Sequence, residues 1–345
     1  MAEQHINEIS LSNGTVMKEF FLVPGDSAPV PKEGDAAPAQ TDPLVARYYA
    51  EPFVEFNGMK LPTIHEGTYR LSDMSMETLG EPFKPGARFE RAINSRQQIA
   101  LQKLLSGGGH DGENISVRDW HISGEQVTFI GQAMHYSQFR ATDNAQDEPL
   151  HPHDNSFPEG TTLRDYVVVN GKESRKGTDI LSNLLGAAFI VRAMGQDEQD
   201  YFVLGRIRKS KTLSVVGGTP MWDEAYTARG GIHFADYMRR LGMQEHQEEL
   251  GLGHDEIEIG NNVHLVRTLL RVFDPFYTVD VDPTVTVEEI AARCFGDKEA
   301  MKEHDRLYAI PRTEEALKGL MNNSRGYSIN AGTIAGLYLD LQGKK

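Results

Sequence analysis

Gln244-Glu245-His246-Gln247-Glu248-Glu249-Leu250-Gly251-Leu252 is the stretch on which the reading of this chain turns. Just upstream, Phe234, Tyr237, Met238 and Leu241 recur at helical spacing and make one apolar stripe. Advancing about 100° per residue, that stripe continues through positions 245, 248 and 249. Three carboxylates therefore extend the inward-facing side of a helix. Like charges at i, i+3 and i, i+4 repel, and an unpaired carboxylate is costly to bury. A bound divalent cation removes both problems at once.

The flanking spacing adds to this. Gly230, five residues, Asp236, seven residues, then the stretch from Gln244 to Leu252 resembles the Nudix box. That box reads Gly, five residues, Glu, seven residues, Arg-Glu-apolar-any-Glu-Glu-any-Gly-apolar. The last three glutamates, both glycines and the terminal apolar residue match in register. Asp236 stands for Glu, Gln244 for Arg and His246 for an apolar residue. The resemblance implies hydrolysis of a nucleoside diphosphate linked to another moiety, of the ADP-ribose or nucleotide-sugar type. It implies Mg²⁺ or Mn²⁺ as cofactor, with Glu245, Glu248 and Glu249 as metal ligands and catalytic residues. Gly230 and Gly231 would let the loop turn beside the phosphates, and Gly251 would end the helix in the left-handed conformation. The alternative is a non-catalytic relative that binds or senses a nucleotide. Gln244 favours it, since a neutral donor does not replace a charged one. So does His246, which needs a partner if buried.

The residues' own chemistry is consistent with what the resemblance implies. Cleaving a phosphoric anhydride requires charge neutralisation on a diphosphate and a water made nucleophilic. Hard oxygen ligands with open water positions suit Mg²⁺, and carboxylates on one helix hold it in fixed geometry. Arg206 and Arg208, with Lys209, follow a strand and are candidates to reach substrate phosphate; a solvated basic turn is the alternative. Asp236 falls on the far side of the helix from Glu245, near its start, and reads as structural.

Composition bounds the rest. The 345 residues suffice for two domains and a sizeable core. Net charge is −15, which argues against an extended nucleic-acid surface but leaves a small anionic substrate compatible. No apolar run approaches a membrane span and Met1 to Glu8 lack signal-peptide features, so a cytoplasmic protein, with a homodimer open, is expected. The single cysteine, Cys294, excludes an intramolecular disulfide and reads as core.

Prolines 24, 29, 31, 38 and 43 make residues 24–43 linker-like, and Pro149, Pro152 and Pro158 do the same for 144–160. In the second, His151-Pro-His153-Asp154 reads as a polar loop rather than a metal site. The division expected is an N-terminal domain of unassigned function over 1–160 and a Nudix-like domain over 161–345. A helix is expected over Ala87 to Leu105, and paired strands at Ile115 to Trp120 and Gln126 to Gly131. Further strands are expected within Ile180 to Arg192 and at Tyr201 to Arg206. Helices are expected at Val287 to Phe295, opened by a Thr286/Glu289 capping box, and at Thr313 to Met321. The fold class is α+β: an α/β/α sandwich with a mixed sheet, preceded by a separate mixed α/β domain. Trp120 and Trp222 read as packing residues, with Trp222 also a candidate to stack on a base.

Overall fold

A computed structural model describes residues 4–22, 53–169, 172–173, 180–208, 210–222, 233–268, 273–297, 300–322 and 328–343. The expected linker at 24–43 lies outside the described residues, as do Gly230, Gly231 and Lys209.

The centre of the molecule is a sheet whose strands are buried on both faces. Its middle strands are β8 (Ala187–Met194) and β13 (Phe273–Val281), which run parallel. Beside β8 come β9 (Asp200–Ile207) and β14 (His304–Pro311); beside β13 comes β12 (Ile257–Thr268); all three pairings are antiparallel. Near-continuous apolar runs make such a sheet possible. Along β8, Ala187, Phe189, Val191 and Ala193 enter one core, while Ala188 and Ile190 enter the other. Tyr201 and Val203 on β9 likewise oppose Phe202 and Leu204.

Helices cover both faces. On the first lie α3 (Phe234–Leu250) and α4 (Val287–Gly296), and on the second α6 (Glu314–Met321) and α7 (Ala331–Gln342). The expected capping box opens α4, with Thr286 and Glu289 bonded reciprocally. Thr313 caps α6. The result is a mixed sheet between two helical layers. Helix α3 rides close to β8 because position 242 is glycine: a Cβ there would stand 2.6 Å from the Phe189 ring. Phe189 is fully buried, stacks on Tyr277 at 5.2 Å and meets His246 edge-on at 5.4 Å. Phe189→Ala should therefore lower unfolding stability by about 3–5 kcal/mol in a denaturant titration.

Strand pairing crosses the division expected at residue 160. The hairpin of β1 (Gln4–Ser10) and β2 (Val16–Leu22) adds to the sheet through β2 on β14. At the other edge, β3 (Phe53–Phe56) and β4 (Met59–Arg70) add through β4 on β12. A second sheet, of β5 (Met74–Thr78), β7 (Gln126–His135) and β6 (Glu113–Ser123), packs on the start of α3, where Phe129 meets Phe234 at 5.6 Å. The β6–β7 hairpin turns at Gly124, in the left-handed region at φ 62°. Helix α1 (Glu90–Ser106) and the short α2 (Tyr136–Ala141) flank that sheet.

The segment 144–160 is irregular, as its prolines require, yet it is packed rather than linker-like. Leu150 and Phe157 are buried with Phe89 and Leu163. Just before it, the buried Asp143 carboxylate accepts from the backbone N–H groups of Ser182 and Asn183, tying the two halves together. His153 meets Ser95 on the helix Glu90–Ser106, and Asp154 accepts from the Ser156 N–H in a local turn. No described helix is long and apolar enough to cross a membrane.

Candidate functional site

Helix α3 ends as its sequence requires. Gly251 is the C-cap in the left-handed region at φ 69°, and its N–H donates back to Gln247. Its buried line, however, runs through Phe234, Met238, Gly242, His246 and Glu249. That line is rotated from the expected one, so the three glutamates are not equivalent. Glu249 is buried, Glu245 half-buried and Glu248 exposed. Helical spacing alone made them equal; the shift follows from Gly242, whose missing side chain draws that face against Phe189 and Ile259.

Glu249 is the most firmly held. Its Oε1 accepts from the Gly217 backbone N–H at 3.3 Å, and its Oε2 accepts from His304 Nε2. Gly217 belongs to β11 (Val216–Gly218), which pairs with the start of β8 and brings a backbone donor to the helix. Glu245 lies against the next residue, Gly218, where a Cβ would stand 2.0 Å from its Oε1. Burial, followed by the charges of Glu249 and Glu248 and a hydrogen bond to Glu249, pushes the Glu245 carboxyl up to about 8. Glu303, at the end of α5 (Ala300–Glu303), adds to that repulsion. The last turn of α3 holds no basic residue, and the helix dipole itself disfavours anions there. Glu248 points outward and accepts from Gln244 Nε2 at 2.8 Å, so Gln244 orients a carboxylate with a neutral donor.

Glu249, with Gly217, Gly218, Glu303 and His304, borders a cleft of about 260 Å³. Asp274 and the α7 start at Asn330 and Gly332 line the same cleft. Asn330 caps α7 through the Gly332 N–H at 2.8 Å. Desolvation pushes the Asp274 carboxyl up to about 7.

The remaining expected residues divide. Arg206 is not available to a phosphate: it is buried and bonds Asp305 through two contacts of 2.7 and 3.0 Å. It sits on β9 opposite Arg306 of β14, and Asp305 beside that residue neutralises it. Arg208 is exposed and its Nε donates to the Met301 carbonyl at 3.0 Å. Asp236 is exposed in the first turn of α3 and pairs with Arg239 at 3.6 Å, a structural role. Trp222 is partly buried against the core, and Cys294 is buried in α4. Sequence reading passed over His304, Gly218, Asp274 and the start of α7. None lies near α3 in the chain. Gly217-Gly218 stands out in the sequence, but it lacks a phosphate-loop pattern and reads as a turn.

His246 is fully buried. Its Nδ1–H donates to the Gly242 carbonyl, its Nε2 has no hydrogen-bond partner, and burial lowers its pKa to about 4. It is neutral and does not oppose a cation. The ordinary histidine value is 6.5, so below it the unfolded chain takes the proton first. The stability that the neutral ring contributes is present above pH 6.5 and is lost as pH falls towards 4, amounting to about 3 kcal/mol at most. His246→Leu should flatten that acid limb and stabilise the protein by about 1 kcal/mol at neutral pH, by relieving the unpartnered Nε2. Melts from pH 7.5 to 4 would read both effects.

No family model matches the chain, and no curated protein matches it. Among solved structures, an Ap4A hydrolase of C. elegans in a binary complex is 12% identical with a TM-score of 0.28, over 46% of this chain and 98% of that one. A NUDIX-family hydrolase of Clostridium perfringens is 13% identical with a TM-score of 0.31, over 48% and 100%. The Nudix hydrolase RenU of M. smegmatis is 8% identical with a TM-score of 0.25, over 47% and 86%.

Proposed function

We propose that the cleft bounded by α3, β11 and α7 hydrolyses the diphosphate of a nucleoside diphosphate linked to another moiety, with a divalent cation. The observation that carries this reading is the convergence of Glu245 and Glu249 against Gly217 and Gly218, where burial and then the neighbouring carboxylates push the Glu245 carboxyl up to about 8. Two carboxylates that hold a proton between them offer what a hard cation takes in its place. The donor set, oxygen on one rigid helix, fits Mg²⁺ or Mn²⁺ in kind. Among the described residues no three His, Cys, Asp or Glu groups already stand in metal-holding geometry. Glu248 is the residue that would complete the set with Glu245 and Glu249, leaving its bond to Gln244.

Bound there, the cation would neutralise diphosphate charge and lower the pKa of a water. The chain's own groups do the rest. Glu249 is fixed by His304 and the Gly217 N–H and keeps its carboxylate in place through the reaction. The N–H groups at the start of α7, which also lines the cleft, favour an anionic phosphate. Gly217 and Gly218, which carry no side chains, leave the cleft open for the diphosphate beside Glu249. ADP-ribose, nucleotide sugars and dinucleoside polyphosphates all present the required linkage.

Metal dependence tests this directly. Turnover should vanish on chelation and return with Mg²⁺ or Mn²⁺ in a saturable titration. Unchanged turnover in excess chelator would remove the cation from the account.

A further inference from the structure

A cavity bordered by α1 lies far from α3 in the chain and has a different chemistry. It measures about 530 Å³ and opens between α1, α2 and the segment 144–153. In a chain of net charge −15, its lining holds Arg96, Lys103 and Arg140 against one carboxylate, Glu148.

Arg96 is only 4% exposed. Its guanidinium donates to the carbonyl oxygens of Ala145, Glu148 and Pro149 at 3.2, 2.6 and 3.0 Å, and its Nε has no hydrogen-bond partner. Among the described residues it makes no ion pair; the charge of Glu148 acts on it without contact and only partly offsets its burial. Lys103 and Arg140 stand exposed at the rim and likewise make no ion pair among the described residues. Between them the wall is apolar. Ile99, 42% exposed, shares a face of α1 with Arg96 and Lys103 at i, i+3 and i+7 spacing, with Ala100 and Leu104 beside it. Three cations at one place suit a multiply charged anion, the apolar strip suits an organic body, and the volume suits a small molecule.

We infer that this cavity is a second binding site, taking a small organic phosphate whose anionic group meets Arg96, Lys103 and Arg140 and whose apolar part lies on Ile99. It stands independently of the hydrolytic cleft. The test is calorimetric titration of the full chain with inorganic phosphate and with AMP, comparing wild type, Lys103→Glu/Arg140→Glu and Glu249→Gln. The site requires that both probes bind wild type and Glu249→Gln alike. It also requires affinity to fall about tenfold or more in the charge-reversed variant, and binding to weaken with added salt. Both reversed side chains are exposed, so its melting temperature should stay near wild type. Were it to melt early, Lys103→Gln/Arg140→Gln makes the same comparison. Equal binding by wild type and the reversed variant, binding lost instead in Glu249→Gln, or no binding to wild type would each overturn the inference.

Discussion

Glu249→Gln should lower kcat by roughly a thousandfold, on the order of 4 kcal/mol of transition-state stabilisation, whereas Glu248→Gln should cost about tenfold or less. The ranking comes from the structure. Glu249 is buried, fixed by His304 and the Gly217 N–H, and coupled to Glu245. Removing its charge takes away the best-held anchor of the cluster, and the new amide N–H₂ faces one of the two donors the carboxylate had accepted from. Glu248 is exposed and paired only with Gln244, so its contribution requires a reorientation that already weakens it. Steady-state kinetics of both variants at saturating Mg²⁺ would check the order. Equal losses would mean that the three carboxylates act as the sequence alone suggests.

Gly218→Ala should cost about a hundredfold in activity with little loss of fold. The added Cβ would fall 2.0 Å from Glu245 Oε1 and 2.6 Å from its Cδ, so the carboxyl must move. A displacement of that size at a catalytic group is enough for such a loss. The obstructed atoms are the end of a flexible side chain, so stability should change by less than about 1 kcal/mol. Its neighbour behaves differently: a Cβ at Gly217 meets the Ala187 backbone carbonyl at 2.7 Å. Gly217→Ala should therefore destabilise the β8–β11 pairing itself. Parallel activity assays and melts of the two variants separate positioning from folding.

What could be read in advance, and what could not, has physical reasons. Elements with strong local signals were legible: the Thr286/Glu289 box at α4, the hairpin at Gly124 and the left-handed Gly251 each depend on a few neighbouring residues. Helix α7 was missed because Ile334, Ala335 and Leu337 are buried along with Gly332 and Gly336, so no polar face marks a helical period. The hairpin β1–β2 and strands β3 and β4 join the sheet through partners some two hundred or more positions away, at Leu307 to Ala309 and Asn262 to Thr268. Such pairings leave no trace in local pattern. At the site, the helix and its glutamates were legible, but their unequal burial was not. It depends on Gly242 meeting Phe189, and on His304 arriving from β14. Arg206 looked like a phosphate ligand because its partner, Asp305, lies 99 positions on.

The most direct measurement is product analysis after incubating the full chain with ADP-ribose, nucleotide sugars, NADH, dinucleoside polyphosphates and nucleoside triphosphates, each with Mg²⁺ or Mn²⁺, beside Glu249→Gln. The account predicts cleavage within the diphosphate of at least one of them, with each fragment carrying its phosphate, and that activity lost in the variant. A well-folded wild-type protein that binds these nucleotides and cleaves none, or cleaves equally well as Glu249→Gln, would contradict it.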